Sequence, residues 1–339
     1  MGGDLLFHGI LCIYRSNHNK LKERLALMAV TIGLDFGCGS TEIYLKGKGI
    51  VLREPSVAAV DTEGNVIAAG VEAMLIRGRA PGSVTLRRPM RDSVISDFNL
   101  CAELLDRFLE LAAPHHTKQV VIAAKCGIGG ENRELLKNAL LDCRVSSVEF
   151  VDAPLAALRG CGLSDSDGII ICDIGAGSIE TSYIRDGDIL RTETYFGGGS
   201  EADQSICDYT HRRYGLVMTQ QDACAAKQLL DMNNVERRIA LTGRDSSTGM
   251  PRRINIKSSE LIHAAAPQIK GASDNIAAVL SNLPRYAGKA ASAGSLVLVG
   301  GGALLSGIAE YITEAVGMEA IVAEAPADAI VRGLGQLIE

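Results

Sequence analysis

Short apolar runs with strand character alternate along the chain with longer segments in which apolar residues recur at helical spacing. Runs at 31–34 and 169–172 each lead into a glycine-rich turn, after which strand character resumes. Apolar residues within 100–111 recur at helical spacing, and the segments 119–124 and 148–151 are again strand-like. This alternation predicts an α/β protein with a mixed, mostly parallel sheet and covering helices.

The second half of the chain continues this pattern with longer connections. We expect residues 201–227 to be helical and residues 242–251 to form a polar loop. A buried strand at 296–299 leads into three consecutive glycines, which let a following helix begin close to a bound ligand. The pattern at 327–337 predicts a final helix.

An eight-residue phrase occurs twice, at 35–42 and at 173–180, with Asp, two Gly, Ser and Glu at the same offsets. Glycines let successive backbone N–H groups converge on an anion, the Ser hydroxyl adds a donor, and the Asp can hold a hydrated Mg²⁺. A single such turn is common in hairpins without a ligand, whereas two copies predict a duplicated fold that grips one polyphosphate from both sides. The candidate phosphate contacts are Gly37, Cys38, Gly39 and Ser40 in the first copy and Gly175, Ala176, Gly177 and Ser178 in the second.

Composition narrows the functional classes. With 339 residues, of which 47% are hydrophobic, the chain can bury a full core and form two domains. The net charge of −6 gives no reason to expect a nucleic-acid partner. The nine cysteines are scattered without the spacing of a metal site, which predicts reduced thiols in a cytoplasmic protein.

The first 27 residues are considered separately from the fold. Residues 5–14 are mildly apolar and residues 15–24 are polar, a pattern that fits neither a signal peptide nor a transmembrane helix. Two interpretations stay open, an amphipathic membrane anchor or an extension ahead of a true start at Met28. We prefer the second interpretation, because the fold begins immediately after Met28.

Several further phrases carry a family resemblance. The chain resembles the actin-like ATPase superfamily in the order of its three glycine turns, and within it the bacterial rod-shape actins of the MreB family. The resemblance is specific, because binding ATP does not require the Arg-Pro-Met and Gly-Arg-Asp phrases. It runs from about Met28 to the C-terminus and rests on Glu54-Pro55-Ser56-Val57, Arg88-Pro89-Met90-Arg91-Asp92, Gly243-Arg244-Asp245 and Leu298-Val299-Gly300-Gly301-Gly302-Ala303.

The resemblance implies a duplicated actin-like (ribonuclease H-like) fold with a nucleotide cleft between two lobes. Lobe I would span residues 28–168 with a small subdomain at about 58–92, and lobe II residues 169–339 with a small subdomain at about 200–258. The family also implies Mg-ATP as the ligand and filaments beneath the cell membrane. Inner-membrane proteins of cell-wall synthesis would then be partners, and the membrane surface a further contact.

The resemblance assigns roles to single residues. Asp35 and Asp173 would hold Mg²⁺ through water, and Lys227 would lie near the ribose and base. The two helices that begin near Pro154 and Ala327 would cross at the hinge between the lobes. The adenosine loop would consist of Gly300, Gly301, Gly302 and Ala303.

Departures from the family pattern bear on mechanism. Ala153 stands where the family has the Glu that positions the attacking water, which leaves Asp152 as a weak candidate for the catalytic role. Losing such a group costs about 10²–10⁴-fold in rate, so we expect at most a slow Mg-dependent ATPase. Cys224 replaces the family's acidic contact to the ribose, and Ala124-Lys125-Cys126 replaces a turn that contains Val-Pro.

Three functions stay open on the sequence. The first is an ATP-binding cytoskeletal protein whose membrane-associated filaments help to determine cell shape and guide cell-wall synthesis. The second is a divergent scaffold that binds nucleotide with little or no hydrolysis, which Ala153 favours. The third, a small-molecule kinase on the same fold, is the weakest, because no inserted substrate domain is evident.

Overall fold

The structure, a computed structural model, describes residues 29–76, 84–283 and 296–339. The predicted N-terminal extension at 1–27 lies outside the described residues. Two five-stranded sheets form the framework, and three smaller sheets flank them. The strands, in chain order, are β1 (Val30–Phe36), β2 (Ser40–Leu45), β3 (Gly49–Pro55), β4 (Ala58–Val60), β5 (Val66–Ala69), β6 (Thr85–Arg87), β7 (Met90–Arg91), β8 (Val94–Ile95), β9 (Lys118–Ala124), β10 (Val145–Asp152), β11 (Ile169–Ile174), β12 (Ser178–Arg185), β13 (Asp188–Phe196), β14 (Leu216–Val217), β15 (Arg238–Asp245), β16 (Pro251–Lys257), β17 (Leu296–Val299) and β18 (Ala320–Val322).

Helices cover the two large sheets and connect their parallel strands. The α-helices are α1 (Gly70–Ile76), α2 (Phe98–Ala112), α3 (Gly130–Leu141), α4 (Ala153–Gly160), α5 (Gly199–Tyr214), α6 (Gln220–Gln228), α7 (Ser258–Ala264), α8 (Ala266–Ser281), α9 (Ile308–Val316) and α10 (Ala329–Ile338). Two short 3₁₀ turns, Gly301–Leu304 and Pro326–Asp328, lie between β17 and α10. The first N–H groups of a helix have no partner within the helix and need other acceptors. Asp97 caps α2 in this way, because its side chain accepts a hydrogen bond from Leu100 N.

The two large sheets have the same topology. In the order β3-β2-β1-β9-β10, the first three strands form an antiparallel meander and β9 and β10 run parallel to β1. In the order β13-β12-β11-β17-β18, the meander and the two parallel strands recur. The duplication that the repeated phrase predicts is therefore present in the whole sheet and extends well beyond the turns.

Each sheet has its own apolar core, and a third core joins them. Phe108 and Leu104 of α2 are fully buried against the first sheet, and Ile276 of α8 is fully buried against the second. The joining core contains α4 and α10 together with side chains from β9 and β11. The predicted lobe and subdomain boundaries stay predictions, because the sheets alone do not fix where one lobe ends.

Helices α4 and α10 cross at two glycines. A Cβ on Gly160 would overlap the carbonyl oxygen of Ala329, and a Cβ on Gly333 would overlap that of Ala156. The absence of side chains at both positions lets the two backbones come into contact, which is the packing that glycine allows. The close packing of the two helices is as the family resemblance implies, while their hinge role stays a prediction.

Two element predictions in the second half were wrong. The helix predicted at 201–227 is split, because Gly215 adopts a left-handed conformation (φ 61°) that ends α5, and β14 follows it. The loop predicted at 242–251 is largely a hairpin, since β15 continues to Asp245 and β16 begins at Pro251. Polar residues on an exposed strand resemble a loop in sequence, because neither pattern shows an apolar period.

Candidate functional site

The two hairpins formed by residues 35–42 and 173–180 have the same hydrogen-bonded turn. Gly37 N donates to Ser40 O at 2.9 Å, and Gly175 N donates to Ser178 O at 3.0 Å. The Asp and Glu of each phrase are cross-strand partners, Asp35 with Glu42 and Asp173 with Glu180. In both hairpins, the Asp therefore lies at the equivalent position, at the strand end beside the turn.

The two turns are in contact with each other. A Cβ on Gly39 would lie 2.9 Å from Ala176 Cβ, and a Cβ on Gly177 would lie 2.5 Å from Cys38 Sγ. Ser93 bridges the turns, since its N–H donates to Cys38 Sγ at 3.2 Å and its hydroxyl lies 2.7 Å from Ser178 Oγ. All eight candidate phosphate residues therefore lie in one cluster, where backbone N–H groups from both halves can converge on one anion.

Cys38 packs inside this cluster as a structural thiol. Burial raises the pKa of Cys38, although Ser93 and Lys125 lower it in part. A raised pKa keeps the thiol protonated and unreactive at neutral pH. None of the described cysteines forms a disulfide.

The third glycine turn lies against the second hairpin. A Cβ on Gly300 would overlap Asp173 Oδ1, and a Cβ on Gly302 would overlap Ile174 Cγ2, so both positions require glycine. The helix expected directly after the glycines is absent at that point: a 3₁₀ turn follows, and α9 begins only at Ile308. Ala303, the last residue of the predicted adenosine loop, is buried.

Lys227, on α6, extends its side chain toward the second turn. Its Nζ donates to Gly199 O at 2.5 Å and lies 2.7 Å from Asp203 Oδ1. Gly199 N in turn donates to Gly175 O, so Lys227 is connected to the turn through Gly199. Burial raises the pKa of Asp203 and Lys227 partly offsets it. Lys227 and the second turn are thus neighbours, and its place near the ribose and base stays a prediction.

The two aspartates predicted to hold a metal have different partners. Lys125 Nζ lies 2.7 Å from Asp173 Oδ2, and both side chains are largely buried, at 17% and 11% exposed. Burial, Glu42 and Asp173 raise the pKa of Asp35 well above its usual value, with Lys125 acting in the opposite direction. Asp35 thus has carboxylate neighbours, whereas Asp173 has a paired cation.

These residues fit a hydrated Mg²⁺ only in part. Mg²⁺ prefers carboxylate oxygens and retains several waters, which Asp35 could satisfy. Asp173 does not fit in the same way, because its Oδ2 is already bound by an ammonium group. In the part of the chain that the structure describes, no group of three or more His, Cys, Asp or Glu side chains is placed to hold a metal ion. A metal shared equally between the two aspartates is therefore not what this donor set favours.

Asp152 and Ala153 lie where β10 passes into α4. Arg133 Nη2 donates to Asp152 Oδ1 at 2.8 Å, and the Arg133 guanidinium also lies over the Phe150 ring at 5.9 Å. The ion pair therefore engages one oxygen of this carboxylate. Ala153 is 4% exposed and packs in the joining core. Asp152, the catalytic candidate from the sequence, is therefore bound by Arg133, and the side chain of Ala153 next to it carries no polar group.

Three residues of the cluster were not predicted as site residues. Lys125 pairs with Asp173, Ser93 bridges the turns, and Arg88 Nη1 donates to Cys38 O at 3.0 Å and to Gly39 O at 3.3 Å. For Arg88 a signal was present, since it belongs to the Arg-Pro-Met phrase that ATP binding does not explain. For Lys125 the signal was the departure of Ala124-Lys125-Cys126 from the family's Val-Pro-containing turn.

Comparison with known sequences identifies close relatives over nearly the whole chain. The MreB/Mbl protein family matches residues 29–339. Cell shape-determining protein MreB of Escherichia coli (strain K12) is 29% identical over 333 residues, covering 94% of this chain and 96% of that protein. Cell shape-determining protein Mbl of Bacillus subtilis (strain 168) is 30% identical over 324 residues, covering 92% and 97%.

Solved structures share the fold. MreB5 of Spiroplasma citri bound to ADP matches with a TM-score of 0.84 at 26% identity, covering 92% of this chain and 96% of that chain. The MamK double helical filament matches with a TM-score of 0.76 at 21% identity, covering 91% and 98%. The predicted actin-like fold class is confirmed.

Among the described residues, no helix combines the length and the apolar composition needed to cross a bilayer.

Proposed function

Because this chain belongs to the MreB/Mbl family, we propose that it binds an adenine nucleotide between its two hairpins and polymerises into filaments that help to determine cell shape. The observation that carries the proposal is the contact between the two turns, which brings Gly39 against Ala176 and Cys38 against Gly177. Because the two turns come from different halves of the fold, one ligand can contact both of them. A polyphosphate has several anionic groups and can accept hydrogen bonds from both turns at once.

The nucleotide would be held at three places. Its phosphates would accept hydrogen bonds from the backbone of the two turns and from Ser40, which is exposed. The adenosine would lie toward Gly300–Gly302 and Lys227, which approach the second turn from two sides. ADP in the related MreB5 structure supports an adenine nucleotide as the ligand.

Family membership supports polymerisation, and we propose membrane association with it. The curated relatives are cell shape-determining proteins, and the MamK filament shows that a chain of this fold assembles into a double helix. We infer a cytoplasmic filament at the membrane surface that guides the inner-membrane proteins of cell-wall synthesis. Copies of this chain are its primary partner.

Hydrolysis by this chain would be slow, which keeps a nucleotide-binding scaffold as the second candidate function. Arg133 pairs with Asp152, and Ala153 has no group that could orient water. Filaments of such a protein would form with ATP and would not be timed by its turnover.

One experiment separates the two candidates: phosphate release and pelleting by centrifugation, both followed with ATP, with ADP and without nucleotide. ATP-dependent pelleting with fast phosphate release supports a filament that turns over its nucleotide. The same pelleting with little phosphate release supports the scaffold. If the protein neither binds nucleotide nor pellets, the proposed function is wrong.

A substitution at Ala153 tests whether this position limits hydrolysis. Ala153→Glu restores the family's carboxylate, and we expect phosphate release to rise by about 10²-fold or more. Ala153→Leu is the matched control, because it adds similar bulk to the same buried position without a polar group. An unchanged rate in a folded Ala153→Glu protein would show that this turn does not limit hydrolysis.

A further inference from the structure

The side chain of Lys125 places an ammonium group at the second turn. Its Nζ lies 2.7 Å from Asp173 Oδ2 and would lie 3.8 Å from a Cβ on Gly175. Burial alone would lower the pKa of Lys125, but Asp173, Glu180 and Asp35 raise it above its usual value. An ammonium group thus lies directly beside the second turn.

The backbone around Lys125 is fixed by contacts to the second sheet. Ile128 N donates to Lys125 O at 3.2 Å, which closes the turn, and Gly127 N donates to Glu180 Oε1 at 3.3 Å. A Cβ on Gly127 would lie 2.6 Å from Thr194 Oγ1, so the turn is packed closely against β13. The ammonium group is thus held in position by the fold and is not simply a surface lysine that happens to lie nearby.

The ammonium group also has hydrogen-bonding capacity left. A lysine ammonium has three N–H donors. In the described residues, Asp173 Oδ2 is the single hydrogen-bond partner of Lys125 Nζ. Two donors are therefore available to phosphate oxygens that occupy the turn, and lysine is a common point-charge ligand for phosphate.

We propose that Lys125 supplies the positive charge that a hydrated divalent cation would otherwise supply to the nucleotide phosphates, so that this chain binds ATP without Mg²⁺. The inference rests on the proposed function, because it concerns the same phosphate site. The ammonium is hydrogen-bonded to Asp173, one of the two carboxylates assigned to the metal, and it interacts electrostatically with Asp35, the other. Its N–H donors take the place of metal-bound water, and a divalent ion next to it would be repelled by its charge.

The decisive measurement is the affinity of the wild-type protein for ATP, titrated by calorimetry once in excess MgCl₂ and once in excess EDTA. We expect the two dissociation constants to agree within about threefold. Binding in MgCl₂ that is lost in EDTA would overturn the inference and leave the proposed function intact. No binding in either condition would overturn both.

Variants test whether Lys125 is the cause. Lys125→Met keeps the length of the side chain and removes the charge, and we expect affinity in EDTA to fall by about tenfold or more and to recover with MgCl₂. Lys48→Met, at an exposed position in the turn between β2 and β3, is the matched control and should bind as the wild type does. Unchanged affinity of Lys125→Met in EDTA would overturn the inference, and the wild-type titration decides it even if that variant does not fold.

Discussion

The first hairpin, residues 35–42, and the second, residues 173–180, have the same turn and the same strand register but different surroundings. Ser40 of the first is exposed, whereas Ser178 of the second is fully buried and bonded to Ser93. Asp35 of the first has carboxylate neighbours, whereas Asp173 of the second is paired with Lys125.

This difference shows that the repeated residues determine the backbone conformation of the two hairpins but not the side-chain interactions at each turn. Five shared residues give both hairpins their backbone, because glycines and a strand-end Asp are what that turn requires. What each turn can do then depends on residues far away in sequence, Ser93 and Lys125. We infer that the first hairpin offers side-chain groups to a ligand, and that the second offers its backbone and a lysine.

The largest expected effect comes from neutralising the two aspartates in turn. Asp173→Asn leaves Lys125 without its counter-ion in a largely buried place, and we expect the free energy of unfolding to fall by about 3 kcal/mol. Asp35→Asn removes a charge that lies beside Glu42 and Asp173, and we expect unchanged or slightly higher stability. Urea denaturation without nucleotide or divalent metal measures both.

Equal losses in the two variants would contradict the comparison. It would mean that the surroundings of the two carboxylates do not differ in energy, although the ion pair distinguishes them in the structure. The two substitutions are matched, because each replaces one carboxylate oxygen by an amide nitrogen of the same shape at equivalent positions of the repeat.

A second prediction concerns the contact between the hairpins. Gly177→Ala places a Cβ 2.5 Å from Cys38 Sγ and 3.1 Å from Ser93 N, and we expect a loss of about 1–3 kcal/mol in unfolding free energy. Gly130→Ala is the control, because its Cβ meets nothing within 4 Å and alanine favours the helix α3.

A double variant sharpens this test. Adding Cys38→Ala to Gly177→Ala removes the sulfur nearest to the new methyl group, so the double variant should lose less than the sum of the two single losses. Strict additivity of the two losses in unfolding free energy would show that the two turns are not in contact in solution.

The repeat made the hairpins, the duplicated sheet and the fold class predictable from sequence. Glycine spacing and apolar runs are local signals, and each records a backbone requirement of its own turn or strand. The crossing of α4 and α10 was also accessible, because the resemblance indicates both helices.

The partners of the site residues could not be predicted in the same way. Lys125 is 48 positions from Asp173, and Ser93 is 85 positions from Ser178, so no local pattern connects either pair. The split of the helix predicted at 201–227 has a similar cause. Gly215 ends α5 in a left-handed conformation, and in sequence a single glycine does not show which conformation it adopts.

The smallest expected effect separates the two serines. Ser178→Ala leaves the hydroxyl of Ser93 without its partner at 2.7 Å, and we expect the free energy of unfolding to fall by about 1 kcal/mol. Ser40→Ala is exposed and should leave stability unchanged, while its lost donor should weaken ATP binding by about tenfold. Thermal denaturation without nucleotide and ATP titration measure the two effects separately. If both variants lost ATP affinity equally and neither lost stability, the two hairpins would be equivalent toward the ligand, and the buried contact between Ser93 and Ser178 would have to open when ATP binds.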